Sequence, residues 1–386
     1  MTVKERLLSA LRSKPVDHVP LVPRFWTAPR HARATWASER ERLEFFARHG
    51  WDTAVEMWCS IRPAASVRGE VFHEQDVCGP VLRQVWHTPA GDITERLRAT
   101  EDWPQAQTAT EPIGFLHDFR PPRYIEVPLK DAGDLAALPH LFPVHLTPEE
   151  RDGMARSYRD ARALADEFRV PVFADLRPGL DWLIWLFPAQ EAVLRALDSP
   201  GLIRPLLAHI GEAHRRRLEV FLELGVDAII RSGWYESASL WSPEMFRTLV
   251  VPELEWEIQA AKAASGGEGP PSPPAFVYLM DSGVGPLLPD LGRLGFDCLA
   301  GVDPATAGGV DLAEIRRRLP GKALWGGISG PLHLGRGTPQ EVECAVERAF
   351  AACGRTGLIL GPVVGFRHDW PWENLEACDR AWRRLR

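Results

Sequence analysis

The chain has 386 residues, 45% hydrophobic and 25% charged, a globular balance with ample apolar material for a core. Its net charge of −7, with acids and bases interspersed, argues against a nucleic-acid or anionic-membrane partner. Six cysteines without a C-x-x-C pair read as free thiols of a reducing compartment, so a cytoplasmic location is expected.

The opening stretch, MTVKERLLSALRSK, is an amphipathic helix charged throughout, without the apolar core of a signal peptide. After the turn Pro15-Val16-Asp17, Val22 to Trp26 reads as a first strand, Ser38 to His49 as a charged helix and Asp52 to Trp58 as a second strand. Residues 71 to 139 break this pattern. VFHEQDV, VLRQVWH, DITERLRA and YIEVPL are short β segments, two of them joined at Pro89-Ala90-Gly91-Asp92, and together they read as an antiparallel insertion. Thr147-Pro148-Glu149-Glu150 is a capping box that starts a helix to about Phe168. Val170 to Asp175 is a strand, followed by helices across Leu180 to Leu224 broken at Pro188 and Pro200. The most apolar window, Leu180 to Phe187, contains Asp181 and is too short to span a bilayer.

Val226 to Ile230 is the next strand, and Ser242-Pro243 starts the helix after it. Further strands are expected at Ala275 to Met280, Phe296 to Gly301, Ala323 to Ile328 and Leu358 to Val364, before a closing helix, Trp372 to Leu385. About eight strands, mostly separated by helices, predict a single-domain (β/α)8 TIM barrel over residues 1–386, with the β insertion at about 71–139. An open doubly wound sheet is the competitor. It is less favoured because no Gly-rich phosphate turn follows the first strand.

Active sites of such barrels sit at the strand C-terminal ends. The densest polar cluster there is Arg231, Ser232, Trp234, Tyr235 and Glu236. Arg24, Arg30, Glu56, Cys59, Arg177, Asp281, Asp303, Ser329, Arg367 and His368 follow other strands. Arginines in a barrel mouth clamp carboxylates or phosphates, and carboxylates among them serve as general acid or base. Glu236, Asp281 and Tyr235 are the candidate catalytic groups; Arg24, Arg30, Arg177, Arg231, Trp234 and His368 are the candidate substrate contacts. The alternative for Arg231 and Glu236 is an ion pair that braces a loop. Gly326-Gly327-Ile328-Ser329-Gly330-Pro331 resembles a phosphate nest or, equally, a tightly packed strand end.

The order of motifs is similar to that of the uroporphyrinogen decarboxylase superfamily. The likeness rests on Pro15-Val16-Asp17 through Pro20, Leu224-Gly225-Val226-Asp227, Ser242-Pro243-Glu244-Met245-Phe246 with Pro252, Gly301-Val302-Asp303 and Trp372-Glu373-Asn374. It implies a (β/α)8 barrel and either decarboxylase or corrinoid-dependent methyltransferase chemistry. The methyltransferases' zinc-binding His-x-Cys falls on Met280-Asp281-Ser282, and their last Cys falls within Gly361 to Gly365. The standard zinc site is therefore not expected, and neither a metal nor a cofactor is assigned. The decarboxylases' arginine pair falls near Arg24 and Arg30, their aspartate near Cys59 with Glu56 the closest acid, their tyrosine on a Trp of Asp181–Trp185, and their histidine about Pro362.

The leading expectation is therefore a decarboxylase-like lyase acting on a small anionic, carboxylate-bearing molecule. A methyltransferase with a carboxylate-held metal and a corrinoid protein partner is the second reading. A non-catalytic ligand-binding barrel is the third. A homodimer is carried as the oligomeric option.

Overall fold

The structure is a computed structural model. It describes residues 1–25, 36–59, 61–117, 119–264, 272–362, 365–367 and 369–386. The candidate residues Arg30 and His368 lie outside the described residues. The chain divides into two compact units: residues 1–59, 149–176 and 218–386 form one, and residues 60–148 and 177–217 form the other.

In chain order, the elements are α1 (Val3–Leu11), α2 (Glu39–His49), β1 (Val55–Trp58), β2 (Arg68–Asp76), β3 (Gly79–Thr88), β4 (Gly91–Arg98) and β5 (Tyr124–Glu126). Then come α3 (Pro148–Phe168), β6 (Val172–Leu176), α4 (Asp181–Leu186), α5 (Ala189–Asp198), α6 (Pro200–Leu224), β7 (Ala228–Ser232), α7 (Pro243–Leu249) and α8 (Val251–Ala263). The last elements are β8 (Ala275–Leu279), α9 (Leu288–Arg293), β9 (Cys298–Val302), α10 (Leu312–Arg318), β10 (Ala323–Ile328), α11 (Pro339–Cys353), β11 (Leu358–Pro362) and α12 (Trp372–Leu385).

The first unit is built on a curled parallel sheet of seven strands, in the order β1-β6-β7-β8-β9-β10-β11. Every neighbouring pair is parallel, as strand–helix–strand crossovers require. The expected eighth ladder, over Val22 to Trp26, is not among the described strands. Leu21 and Phe25 make only isolated parallel bridges, to Leu360 and Phe366. Val22 N–H donates to Leu360 O at 2.8 Å, Leu360 N–H to Pro20 O at 2.9 Å and, on the other side, Asp52 N–H to Leu21 O at 2.8 Å. The segment thus bonds to β11 and to the residue run leading into β1, the two ends of the sheet. Pro20 and Pro23 have no N–H to give, which interrupts a continuous ladder.

One face of the sheet is read from its alternate residues. Phe173, Ala228, Ile230, Ala275, Val277, Leu279, Cys298, Ala300, Ala323, Trp325 and Ile359 pack in one cluster with Leu7, Ala10 and Leu11 of α1. Lys4 of α1 pairs with Asp227 at 2.9 Å, just before β7, and Arg12 donates to Pro273 O at 2.7 Å, just before β8. Helix α1 therefore floors this concave face at the strand N-terminal ends. The opposite ends are left for chemistry.

The second unit holds an antiparallel sheet, β2-β3-β4-β5, over part of the span expected as the insertion. Thr88 and Gly91 pair across the Pro89-Ala90 turn. Leu82, Leu97, Ala99, Trp103, Ala106 and Ile113 form its core. Beside it, the fully buried Glu95 is ion-paired with Arg120 and accepts from Gln84 Nε2 at 2.7 Å and Trp86 Nε1 at 3.2 Å.

Candidate functional site

Strand parity decides what reaches the concave face. In β7, Ala228 and Ile230 point inward, so Ser232 does as well, whereas Arg231 points to the helix-covered face. The same count sends Asp175 of β6 inward, in step with Phe173, and Glu56 inward, in step with Ala54. Above the apolar layer this builds a polar one. Ser232 Oγ donates to Asp175 Oδ1 at 2.9 Å. Arg24 Nη2 donates to Glu56 Oε2 at 2.7 Å and stands 4.0 Å from Asp175 Oδ2. Its guanidinium also lies over the Trp325 ring, 5.9 Å from the centroid. Burial opposes the Arg24 charge, but Glu56 and Asp175 outweigh it and raise its pKa. Glu56, Arg24, Arg42, Thr53 and Trp58 line a cleft of about 220 Å³. Asp175 was missed as a site residue in the sequence, although a lone carboxylate inside the all-buried run VFADL signals a paired group.

Arg231 and Glu236 are brought together, but not with Arg24. Arg231 is ion-paired with Glu236, and its Nε donates to Glu257 Oε2 of α8 at 3.2 Å. Its guanidinium lies 5.4 Å from the Tyr278 ring centroid, and Tyr278 OH donates to Glu236 Oε2 at 2.7 Å. Tyr278 shares the outward parity of Arg231, between Val277 and Leu279 of the concave face. All four side chains are essentially fully buried. This is a sheet-to-helix brace. Burial pushes the Glu257 carboxyl up to about 8, against the pull of Arg231. Gly233 makes room for the brace: a Cβ there would stand 2.7 Å from Arg231 Nη1 and also strike the Glu236 carboxylate.

Asp281 follows β8 and is half-buried. Burial first, then the charge of Asp303, push its carboxyl up to about 6, against the pull of Arg367. Asp303 is buried and accepts from Ala305 N–H at 2.7 Å. Trp234 and Tyr235 are half-buried; Trp234 packs on the concave-face cluster, and Tyr235 O accepts from Trp241 Nε1 at 2.7 Å. Arg177 belongs to the second unit, where its carbonyl accepts from Trp182 Nε1 at 2.7 Å. Cys59 Sγ faces Met154 Sδ at 3.8 Å. No group of three or more His, Cys, Asp or Glu side chains is disposed to hold a metal ion among the described residues.

The glycine-rich end of β10 has its groups occupied from within. Ser329 N–H donates to His333 Nδ1 at 2.9 Å, and Ser329 Oγ accepts from Leu332 N–H at 3.3 Å. A Cβ on Gly330 would stand 2.8 Å from the Trp370 ring. The geometry is that of a tightly packed strand end, with the Ser329 N–H and Oγ engaged from within.

Residues 189–385 match the family model described as uroporphyrinogen decarboxylase. No curated protein matches the sequence. Among solved structures, a methyltransferase from Methanosarcina mazei aligns over 100% of this chain and 99% of its own, with a TM-score of 0.60 and 16% identity. That likeness concerns the fold. A B12-independent methionine synthase from Shewanella sp. in complex with selenomethionine aligns over 59% of this chain and 66% of its own, at 15% identity and a TM-score of 0.36. A putative B12-independent methionine synthase from Listeria monocytogenes aligns over 59% and 67%, at 13% identity and a TM-score of 0.37.

Proposed function

Because the chain belongs to the uroporphyrinogen decarboxylase family, we propose that it is a decarboxylase-like lyase acting on a small carboxylate-bearing molecule at the strand C-terminal ends. The observation that carries this reading is Asp281, a half-buried acid pushed up to about 6 by burial and by Asp303. When a substrate carboxylate leaves as carbon dioxide, its bonding pair stays on carbon, and that carbon must take a proton. An acid whose pKa lies near neutrality both holds and releases one. Asp281 gives the proton and recovers it from solvent. Arg24 anchors an anionic group of the substrate in the layer over Trp325. Trp234 and Tyr235 wall the substrate's body. Arg30 and His368 are further proposed contacts. Arg231 and Glu236 are assigned a positioning role: they fix the turn that presents Ser232, Trp234 and Tyr235. The protein works without a metal or cofactor in this reading, in the cytoplasm, within an eight-membered barrel completed by the segment around Leu21 and Phe25.

The whole-length likeness in fold to the Methanosarcina mazei methyltransferase supports a second reading, methyl transfer with a corrinoid protein as partner. Incubation with a panel of carboxylates, including the porphyrinogen that names the family, separates the two. Carbon dioxide release by the native protein, lost in Asp281→Asn with substrate binding retained, is the expected result. Release undiminished in Asp281→Asn removes the proton-donor role. No release from any substrate, together with methyl transfer from a methylated corrinoid protein to a thiol, replaces the first reading by the second.

A further inference from the structure

A cleft of about 600 Å³ opens between α10 and α11 in the first unit, within the range of about 300–1,000 Å³ typical of small-molecule pockets. It shares no lining residue with the Arg24 cleft. Its walls are largely apolar and short, with Leu312 and Ala313 from α10 facing Ala345 and Ala352 from α11. Three polar residues border it: Asp311, His333 and Arg348. The Asp311 carboxylate is engaged in capping α10, accepting from Glu314 N–H at 2.7 Å. His333 Nδ1 accepts from Ser329 N–H at 2.9 Å, which fixes the neutral tautomer that carries its proton on Nε2. Burial, then the charge of Arg348, lower the His333 pKa and keep that neutral donor form dominant. Arg348 is exposed, and among the described residues no carboxylate pairs with it. A neighbouring bay shares His333 and Arg348 and adds Arg336. Its acid, Glu341, is engaged by Thr338 N–H at 2.7 Å.

An N–H donor and an uncommitted guanidinium thus border an apolar cleft whose nearby acids are occupied. We propose that this cleft is a second binding site, for a small anionic molecule with a narrow apolar body. Arg348 and the Nε2–H of His333 hold the carboxylate or phosphate, and the body lies along the wall of Leu312, Ala345 and Ala352. Alanines on both sides leave a slot for a chain or a thin ring. The anionic end stays at the rim, where a charge keeps part of its hydration.

Octanoate and inorganic phosphate are the probes, titrated by calorimetry against the full chain. Octanoate binds one per chain and more tightly than phosphate, because only octanoate fills the apolar wall. Arg348→Ala weakens octanoate about tenfold, the worth of one charge-assisted hydrogen bond. Ala352→Trp, which fills the slot, weakens octanoate by at least as much but leaves phosphate within about twofold. Octanoate binding that survives both Arg348→Ala and Ala352→Trp overturns the proposal. Phosphate binding tighter than octanoate overturns the apolar body assigned to the ligand.

Discussion

Replacing Glu236 by Gln tests whether the buried brace is structural. Removing one partner of a buried ion pair costs about 3–5 kcal/mol, because the other charge is left uncompensated. Arg231 has a reserve partner, Glu257, 3.2 Å from its Nε. With its carboxyl up to about 8, Glu257 is mostly protonated at pH 7. Ionising it one unit below that value costs about 1.4 kcal/mol, less once the Glu236 charge is gone. Glu236→Gln should therefore cost about 1–3 kcal/mol rather than the full penalty. Glu257→Gln replaces a group already close to neutral and should cost about 1 kcal/mol or less. The double variant leaves the guanidinium with neither carboxylate and should cost about 5 kcal/mol or more. The coupling between the two sites is then about 1–3 kcal/mol.

Urea unfolding of the four proteins at pH 7 measures this cycle. The pH dependence supplies a separate reading. Glu257 binds its proton more tightly when folded, so its contribution to stability is fully present below the ordinary carboxylate range. It is lost as pH rises through about 8. Glu257→Gln should flatten that decline. Additive costs would show that the two carboxylates do not share one guanidinium. Unchanged stability in Glu236→Gln, with turnover lost, would refute the brace and return Glu236 to a catalytic role.

Gly233→Ala should destabilise by about 1–3 kcal/mol in the same assay, since the new Cβ overpacks the brace; a fully stable variant would contradict the close approach. Asp303→Asn should bring the Asp281 carboxyl down from about 6 toward the ordinary carboxylate range, followed by carbon-13 NMR of the side chain. An unmoved titration would mean that Asp303 is not its electrostatic neighbour. In the second unit, Arg120→Met strands the buried Glu95 and should cost about 3–5 kcal/mol, read from unfolding monitored by tryptophan fluorescence. Adding Glu95→Leu should recover most of that loss, and failure to recover would place the cost elsewhere.

The positions of the parallel strands were legible because each is a short apolar run bounded by turn residues and followed by a helix start. Ser242 caps α7 with Pro243 at its first position, and Thr338 caps α11 in a capping box with Glu341, as their sequences announce. Which way Arg231 points was not legible. A strand buried on both faces, such as Ala-Ile-Ile-Arg-Ser, shows no polar–apolar alternation, so its parity is hidden until α1 marks the concave side. Asp175 was overlooked for the same reason, since its neighbours on both faces are apolar. Val22 to Phe25 has the composition of a strand, but Pro20 and Pro23 reduce the segment to isolated bridges, and Trp26 lies outside the described residues.

The floor formed by α1 also bears on how the chain acquires its structure. Leu7 and Leu11 share their cluster with Trp325 and Ile359, and Val19 O accepts the Trp382 Nε1 proton at 2.7 Å across a separation of 363 residues. Contacts this distant in sequence carry a large loop-closure cost and form late. During synthesis, the first helix emerges hundreds of residues before β10, β11 and α12 exist to receive it. Its apolar stripe of Leu7, Ala10 and Leu11 stays uncovered for that interval. A segment made well before β10 and β11 is thus seated only once they exist, and folding intermediates that lack these strands should expose it to chaperones and proteases.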